Sequence, residues 1–138
     1  MWTYQGREAR DEDVDGFVAF VYVITRLDTG RRYFGKKRLT KKVSKKPLKG
    51  KKRKRVSHKA SDWKTYFGSN DELLADVASL GESNFSREIL RLCKTLSGAS
   101  YYEAKLQFQH DVILSEEFYN AWIMVKVRTS PAFRSDVS

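Results

Sequence analysis

Residues 18–37 read VAFVYVITRLDTGRRYFGKK, and the reading of this stretch decides the fold. The first arm, residues 18–27, is apolar, β-branched and aromatic, the composition of a strand with at least one buried face. Asp28-Thr29-Gly30 is turn chemistry, and glycine is free to take positive φ there. The second arm, residues 31–36, returns to Tyr33 and Phe34. The pattern predicts a β-hairpin carrying one tyrosine on each arm, Tyr22 and Tyr33. Immediately after Gly35 the sequence changes to a long basic run. Paired tyrosines beside a cationic segment point toward work on a phosphate backbone.

The chain has 138 residues, enough for one domain, and 41% hydrophobic content supplies a packed core. The apolar run at residues 17–24 stops at Thr25 and Arg26, too short to span a membrane. Residues 1–15 are polar and acidic and do not read as a secretory signal. The single cysteine, Cys93, excludes an internal disulfide and a multi-cysteine zinc site. The expected compartment is the cytoplasm.

The net charge of +10 is concentrated. Residues 36–59 hold 14 lysines or arginines and no acid, leaving 13 of the 27 basic residues to face all 17 acidic ones elsewhere. Like charges this dense repel unless a polyanion neutralises them. The segment therefore reads as a nucleic-acid-contacting loop rather than a solvated tail or targeting signal. Its candidate contacts are Lys36, Arg38, Lys41, Lys42, Lys45, Lys46, Lys51, Lys52, Arg53, Lys54, Arg55 and His58. Trp63, beside Lys64, either stacks on a base or fills the junction behind the loop.

In chain order, residues 1–15 read as a loosely held arm, 16–128 as the body with a flexible basic insertion at 36–59, and 129–138 as a tail. Asn70 is placed to cap a helix with Asp71 and Glu72 in its first turn; Leu73, Leu74, Val77 and Leu80 give it an apolar stripe, and Gly81 stops it. Residues 85–93 (FSREILRLC) predict a third strand. Ser100 with Glu103 fits a capping box opening a helix over 101–113. Residues 121–128 (AWIMVKVR) fit a strand or a short helix. The expected class is α+β, a three-stranded antiparallel sheet with flanking helices and a long basic insertion.

Phe20-Val21-Tyr22-Val23-Ile24 and, eleven residues after Tyr22, Tyr33-Phe34-Gly35 resemble the two halves of the GIY-YIG nuclease signature. Tyr66-Phe67-Gly68-Ser69 before a helix, Leu80-Gly81-Glu82-Ser83-Asn84-Phe85 entering a strand, Tyr102-Glu103 and Tyr119-Asn120 resemble the phage-encoded and homing-endonuclease branch. The resemblance spans about residues 17–120. Phe20 stands where the family usually has glycine, and Phe34 where it has isoleucine. The family's arginine on the first helix has no unambiguous counterpart; Lys37 and Arg38 lie nearest, with Arg53, Arg55 and His58 as other candidates.

The resemblance implies a metal-dependent endonuclease that hydrolyses phosphodiester bonds in DNA, double-stranded by expectation, with one Mg²⁺ or Mn²⁺ held by Glu103. Tyr22 or Tyr33 then positions the attacking water or takes its proton. A free tyrosine, with a pKa near ~10, is a poor base at neutral pH. A neighbouring Lys36 or Lys37, or the metal, must lower it. Lys37 is the candidate electrophile, and Asn120 orients water, Glu103 or the substrate. A single site must act twice, or pair up as a transient dimer on DNA, to break both strands. The bland alternatives are cross-strand aromatics for the tyrosines, a capping acid for Glu103 and a turn residue for Asn120. His110 then fills space and Cys93 is buried and inert. The alternative function is a non-catalytic nucleic-acid-binding module using the basic loop. Convergence of Tyr22, Tyr33 and Glu103 separates the two.

Overall fold

The computed structural model describes residues 1–50, 52 and 55–138, with the backbone alone described at residues 43–45 and 55–58. Strands and helices follow in the order β1 Trp2–Tyr4, β2 Arg7–Glu8, α1 Asp11–Val14, β3 Ala19–Arg26, β4 Arg32–Arg38, β5 Thr40–Lys45, β6 Arg55–Ala60, α2 Asp71–Leu80, β7 Phe85–Cys93, α3 Leu96–Gln109 and α4 Pro131–Val137. The main sheet has five strands in the order β2-β1-β7-β3-β4. The predicted hairpin is β3–β4, antiparallel, with Tyr22 opposite Gly35 and Ile24 opposite Tyr33.

Strand β3 is central, with β4 on one side and β7 on the other. That position explains its nearly unbroken apolar run, since both of its faces are covered. Alternation splits its side chains between the two faces. Phe20, Tyr22 and Ile24 join Trp2, Trp63, Phe67 and Leu73 in an aromatic layer that α2 closes. On the opposite face, Val21 packs with Cys93 and Ala99, and Val23 with Phe34, Val112 and Phe118, against α3. Cys93 is buried as expected, and burial pushes its thiol up to about 11.

Helix α2 follows its sequence signals. Asn70 accepts a cap hydrogen bond from the Leu73 N–H, and Gly81 ends the helix at φ 93°. Only Leu73 and Val77 of the predicted stripe are fully buried, because α2 lies on the sheet along a narrow contact.

Several expectations need correction. The sheet has five strands and is mixed rather than three-stranded and antiparallel, since β1 runs parallel to β7. The N-terminal arm is not loose: Trp2 is buried, and its indole N–H donates to the Trp63 carbonyl at 2.6 Å. One large aromatic with a buried donor and a waiting acceptor is enough to draw a short strand onto a sheet edge. The basic insertion is not one long loop. Its described backbone forms an antiparallel ribbon, β5 with β6, from Thr40 opposite Ala60 to Lys45 opposite Arg55. Helix α3 begins earlier than predicted, capped by Thr95, whose Oγ1 accepts from the Gly98 N–H at 2.9 Å; Ser100 and Glu103 lie inside it. Residues 121–130 form neither strand nor helix. The tail is ordered as α4, with the Asp136 carboxylate accepting from the Lys94 and Thr95 N–H groups at 3.0 and 3.2 Å.

Candidate active site

Strand β4 is the edge of the main sheet, and its exposed rim is only half covered. Near its start, residues 117–120 lie alongside. The Arg32 N–H donates to the Glu117 carbonyl at 3.0 Å, and the Tyr119 N–H donates to the Arg32 carbonyl at 2.8 Å. At the next rung a side chain replaces the backbone. Asn120 Oδ1 accepts from the Phe34 N–H at 3.1 Å, and its Nδ2 donates to the Phe34 carbonyl at 2.8 Å. Beyond Phe34 the edge opens into a cavity of about 440 Å³, bordered by Tyr33, Lys36, Ser69, Glu103, Gln107, Asn120 and Trp122 among others.

An edge strand lets groups from both faces of a sheet reach one space. Tyr33 comes from the aromatic face, and Lys36 from the α3 face. Glu103 and Gln107 sit one turn apart on α3, so both aim the same way. Lys36 Nζ donates to Ser100 Oγ at 2.6 Å and stands 4.0 Å from Glu103 Oε1. Burial raises the Glu103 carboxyl pKa above its ordinary 4.5, and Lys36 opposes that shift only in part. Asp71 and Glu72 also border the cavity; Glu72 is ion-paired to Arg31.

The two tyrosines occupy unlike environments. Tyr22 is 1% exposed, ringed by Trp2, Phe20, Tyr33 and Tyr66. Tyr33 lines the cavity and shares a 3.1 Å hydrogen bond with Ser69 Oγ. Two glycines make room for them. A Cβ on Gly35 would run into the Tyr22 hydroxyl and lie 2.6 Å from its Cζ, and one on Gly68 would lie 3.2 Å from Tyr33 Cε1. Burial, the largest cause in each case, raises both phenol pKa values above 10.0, with Tyr66 and Glu103 adding to the rise. The expectation that Lys36 or Lys37 lowers a tyrosine pKa is therefore overturned. Lys36 faces Glu103 instead, and Lys37 Nζ pairs with Asp62 at 2.6 Å and sits 4.2 Å from the Tyr66 ring.

The structure thus brings Tyr33, Glu103 and Asn120 to one cavity and sets Tyr22 directly behind it. Lys37 does not border the cavity; Lys36, one residue earlier on the other face, does. Asn120 holds the Phe34 backbone with one acceptor and one donor bond, and its amide has a further N–H and a further oxygen lone pair on the cavity wall. The two bonds tie the 117–120 segment to the β4 rim. Replacing Asn120 leaves a buried N–H without its acceptor, which costs about 1–3 kcal/mol. Asn120→Ala is expected to lower the melting temperature by several degrees, and an unchanged melting curve would show that the rim does not depend on it.

Trp63 is 6% exposed inside the aromatic layer, so it fills the junction and offers no free face to a base. Arg38, Lys41, Lys42, Lys46 and Lys52 are exposed. The side chains of Lys45, Arg55 and His58, and all of Lys51, Arg53 and Lys54, lie outside the described residues. His110 stacks on Phe34 at 4.8 Å, away from the cavity.

A model of the family described as "Putative endonuclease segE, GIY-YIG domain" matches residues 2–123. The chain belongs to the GIY-YIG family. It is 30% identical over 102 residues to the protein named "Putative endonuclease segE" of Enterobacteria phage T4; the aligned part is 73% of this chain and 39% of that relative. The chain thus spans about two fifths of the length of the curated relative it matches. No solved structure is significantly similar to it.

The GIY-YIG match takes in β1, which the signature motifs leave out. Two groups at or behind the GIY-YIG cavity carry no sequence signal of their own: Gln107 and Arg87. Strand register alone separates Lys36 from Lys37. Arg87 is buried on β7, donates to the Lys64 and Tyr66 carbonyls at 3.2 and 2.8 Å, and lies 4.1 Å from the Phe67 ring. It fastens the loop that brings Tyr66 and Ser69 against the tyrosine pair. Among the described residues no arginine borders the cavity, so Lys36 is the cation there.

Proposed function

We propose that the chain is a metal-dependent endonuclease that hydrolyses DNA phosphodiester bonds at the cavity over the β4 edge. The observation that carries this reading is the meeting of Tyr33, Lys36 and Glu103 on one cavity in a GIY-YIG chain.

The donor set suits a divalent ion. Glu103 is a part-buried carboxylate whose raised pKa reports uncompensated desolvation, which a cation would relieve. One turn away on the same cavity wall, buried Gln107 Oε1 has no hydrogen-bond partner. Among the described residues no group of three or more His, Cys, Asp or Glu side chains could hold a metal. Few protein ligands suit Mg²⁺ or Mn²⁺, because such ions keep waters and take phosphate oxygens to complete the shell. Glu103 would be the ligand, with Gln107 Oε1 facing the same space. Once bound, the ion neutralises phosphate charge and lowers the pKa of a bound water.

Hydrolysis joins a water oxygen to phosphorus, breaks the bond to the leaving oxygen and returns a proton to that oxygen. Lys36 supplies fixed positive charge beside the phosphate. Tyr33, with its pKa raised, stays protonated at neutral pH and works as a hydrogen-bond donor rather than as a base. Tyr22 holds the Tyr33 ring in place from within the core.

Supercoiled plasmid with Mg²⁺, against an EDTA control, tests the reading. Nicking or linearisation that needs the metal supports it. Tight, salt-sensitive binding without cleavage would replace it with the non-catalytic binding module.

The β5–β6 ribbon is the proposed backbone-tracking element, giving affinity without sequence information. Each phosphate-neutralising lysine contributes ~0.9 to the slope of log affinity against log salt. Lys41→Ala with Lys42→Ala is therefore expected to flatten that slope by about two units. An unchanged slope would remove the ribbon from the DNA interface.

A further inference from the structure

The strap of residues 121–130, which carries no helix or strand, is anchored at both ends. At its start, Ile123 packs into the cluster of Val23, Phe34, Val112 and Phe118. At its end, Ser130 caps α4, and α4 is fixed to α3 through Asp136 and through the Tyr102 hydroxyl, which donates to the Val137 carbonyl at 3.1 Å. Flanking the partly buried Ile123, Trp122 is 74% exposed and Met124 78% exposed. Both border the cavity that holds Glu103 and Tyr33.

This is an unusual place to leave an indole in water. The other two tryptophans, Trp2 and Trp63, are buried. Trp122 and Met124, with Val125 and Val127 also exposed farther along the strap, make a run of exposed apolar side chains at the mouth of a polar cavity, and such a patch marks a binding surface. The charge around it selects the occupant. Residues 118–135 contain Lys126, Arg128 and Arg134 and no carboxylate; in the cavity Lys36 stands with Glu103, Asp71 and Glu72, of which Glu72 is paired to Arg31, so the positive charge that selects the occupant is that of the strap. An exposed aromatic followed by cations on one tethered strap is the pattern of a single-strand stacking platform, in which a ring takes a base and the cations take flanking phosphates.

We propose that Trp122 stacks on a nucleobase next to the phosphate held at Glu103, with Met124 beside it and Lys126 and Arg128 on the adjoining phosphates. The placing of that phosphate rests on the nuclease reading; the stacking itself does not. Because the strap is fixed at both ends, little ordering is needed when the base arrives.

The burial of Trp2 and Trp63 makes the test direct. The full chain in EDTA is titrated with a short single-stranded oligonucleotide and, separately, with heparin, a polyanion without bases. Oligonucleotide is expected to remove about one third of the tryptophan emission, the share of one residue in three, by stacking on Trp122. Heparin is expected to bind without that loss. Trp122→Ala is expected to melt like the parent, to lose the quench and to bind oligonucleotide about tenfold more weakly. Trp122→Phe is expected to regain most of that affinity. Equal quenching by heparin, or a quench that survives in Trp122→Ala, would overturn the proposal. So would an emission shift that tracks protein concentration without DNA, since a second copy would then cover the ring. Metal-dependent plasmid nicking is scored in parallel. Nicking without a base-specific quench keeps the nuclease reading and sinks the stacking, whereas the quench without nicking does the reverse.

Discussion

Glu103→Gln is expected to abolish metal-dependent nicking of supercoiled plasmid while leaving the chain at least as stable as the parent. The substitution keeps the size of the side chain and removes its charge. A metal acting on phosphoryl oxygen supplies several kcal/mol of transition-state stabilisation, so losing its carboxylate ligand costs about a hundredfold or more in rate. Stability moves the other way. The folded-state pKa of Glu103 is raised by burial, so near and above the carboxylate range the folded chain holds a proton that the unfolded chain has released. Its contribution to stability is present at low pH and is lost as pH rises through the raised value, leaving the ionised group a net cost at neutrality. Glutamine removes that cost. The shift belongs to the metal-free chain and is read from stability against pH in EDTA, because a bound cation would lower the pKa again. The measurements are the nicking rate with Mg²⁺ and thermal melts of both proteins across pH in EDTA. A mutant that nicks like the parent would remove Glu103 from the site. A mutant that loses nicking only because it unfolds would void the comparison, and Lys36→Met, which removes the cation facing Glu103 from an exposed side chain, then provides the test: nicking must fall in a folded protein.

Gly35→Ala is the second large expected effect, on stability as well as cleavage. Tyr22 and Gly35 are direct cross-strand partners, and the tyrosine's ring and hydroxyl fill the space a methyl would need. The Tyr22 side cannot retreat, since β3 is paired on both sides by β4 and β7, so any relief has to come from displacing the edge strand β4 that lines the cavity. Overpacking of this kind costs about 1–3 kcal/mol, a drop of roughly 5–10 °C in melting temperature for a chain of this size. Cleavage should fall further than stability, because the displaced Tyr22 ring pushes on Tyr33. Tyr22→Phe is not expected to relieve the clash, since the Cζ position itself lies 2.6 Å from the added carbon. Tyr22→Leu, which ends short of Gly35, is expected to be destabilising alone but to make alanine at 35 nearly free of further cost. That non-additivity is the decisive reading; simple addition of the two penalties would show that the glycine is not there to receive the tyrosine.

Much of the frame was legible along the chain because its signals are local. The hairpin came from a strand-like run, a turn and a second run. Helix α2 came from its Asn70 cap and Gly81 stop. Strand β7 matches residues 85–93 as predicted. The misplaced elements were decided by distant partners. Helix α3 starts at Leu96 because Thr95 caps it and Asp136 reaches back some 40 residues in sequence to accept from the same turn. The N-terminal strand forms because Trp2 finds the Trp63 carbonyl 61 positions away. Neither contact leaves a periodic or compositional trace.

The sequence by itself determined the family, the hairpin with its two tyrosines, the concentration of positive charge in one segment and the identity of Glu103 as the acid to watch. These depend on residue types at fixed short spacings. Only the tertiary structure decided which of two adjacent lysines faces Glu103, because a strand turns each successive side chain to the opposite face and the register with β3 sets which is which. It also decided that Tyr22 lies in the core while Tyr33 reaches the cavity, and that Asn120 bonds the Phe34 backbone at the cavity wall. The exposure of Trp122 came the same way: Ile123 packs, partly buried, against the core and leaves its neighbours in water.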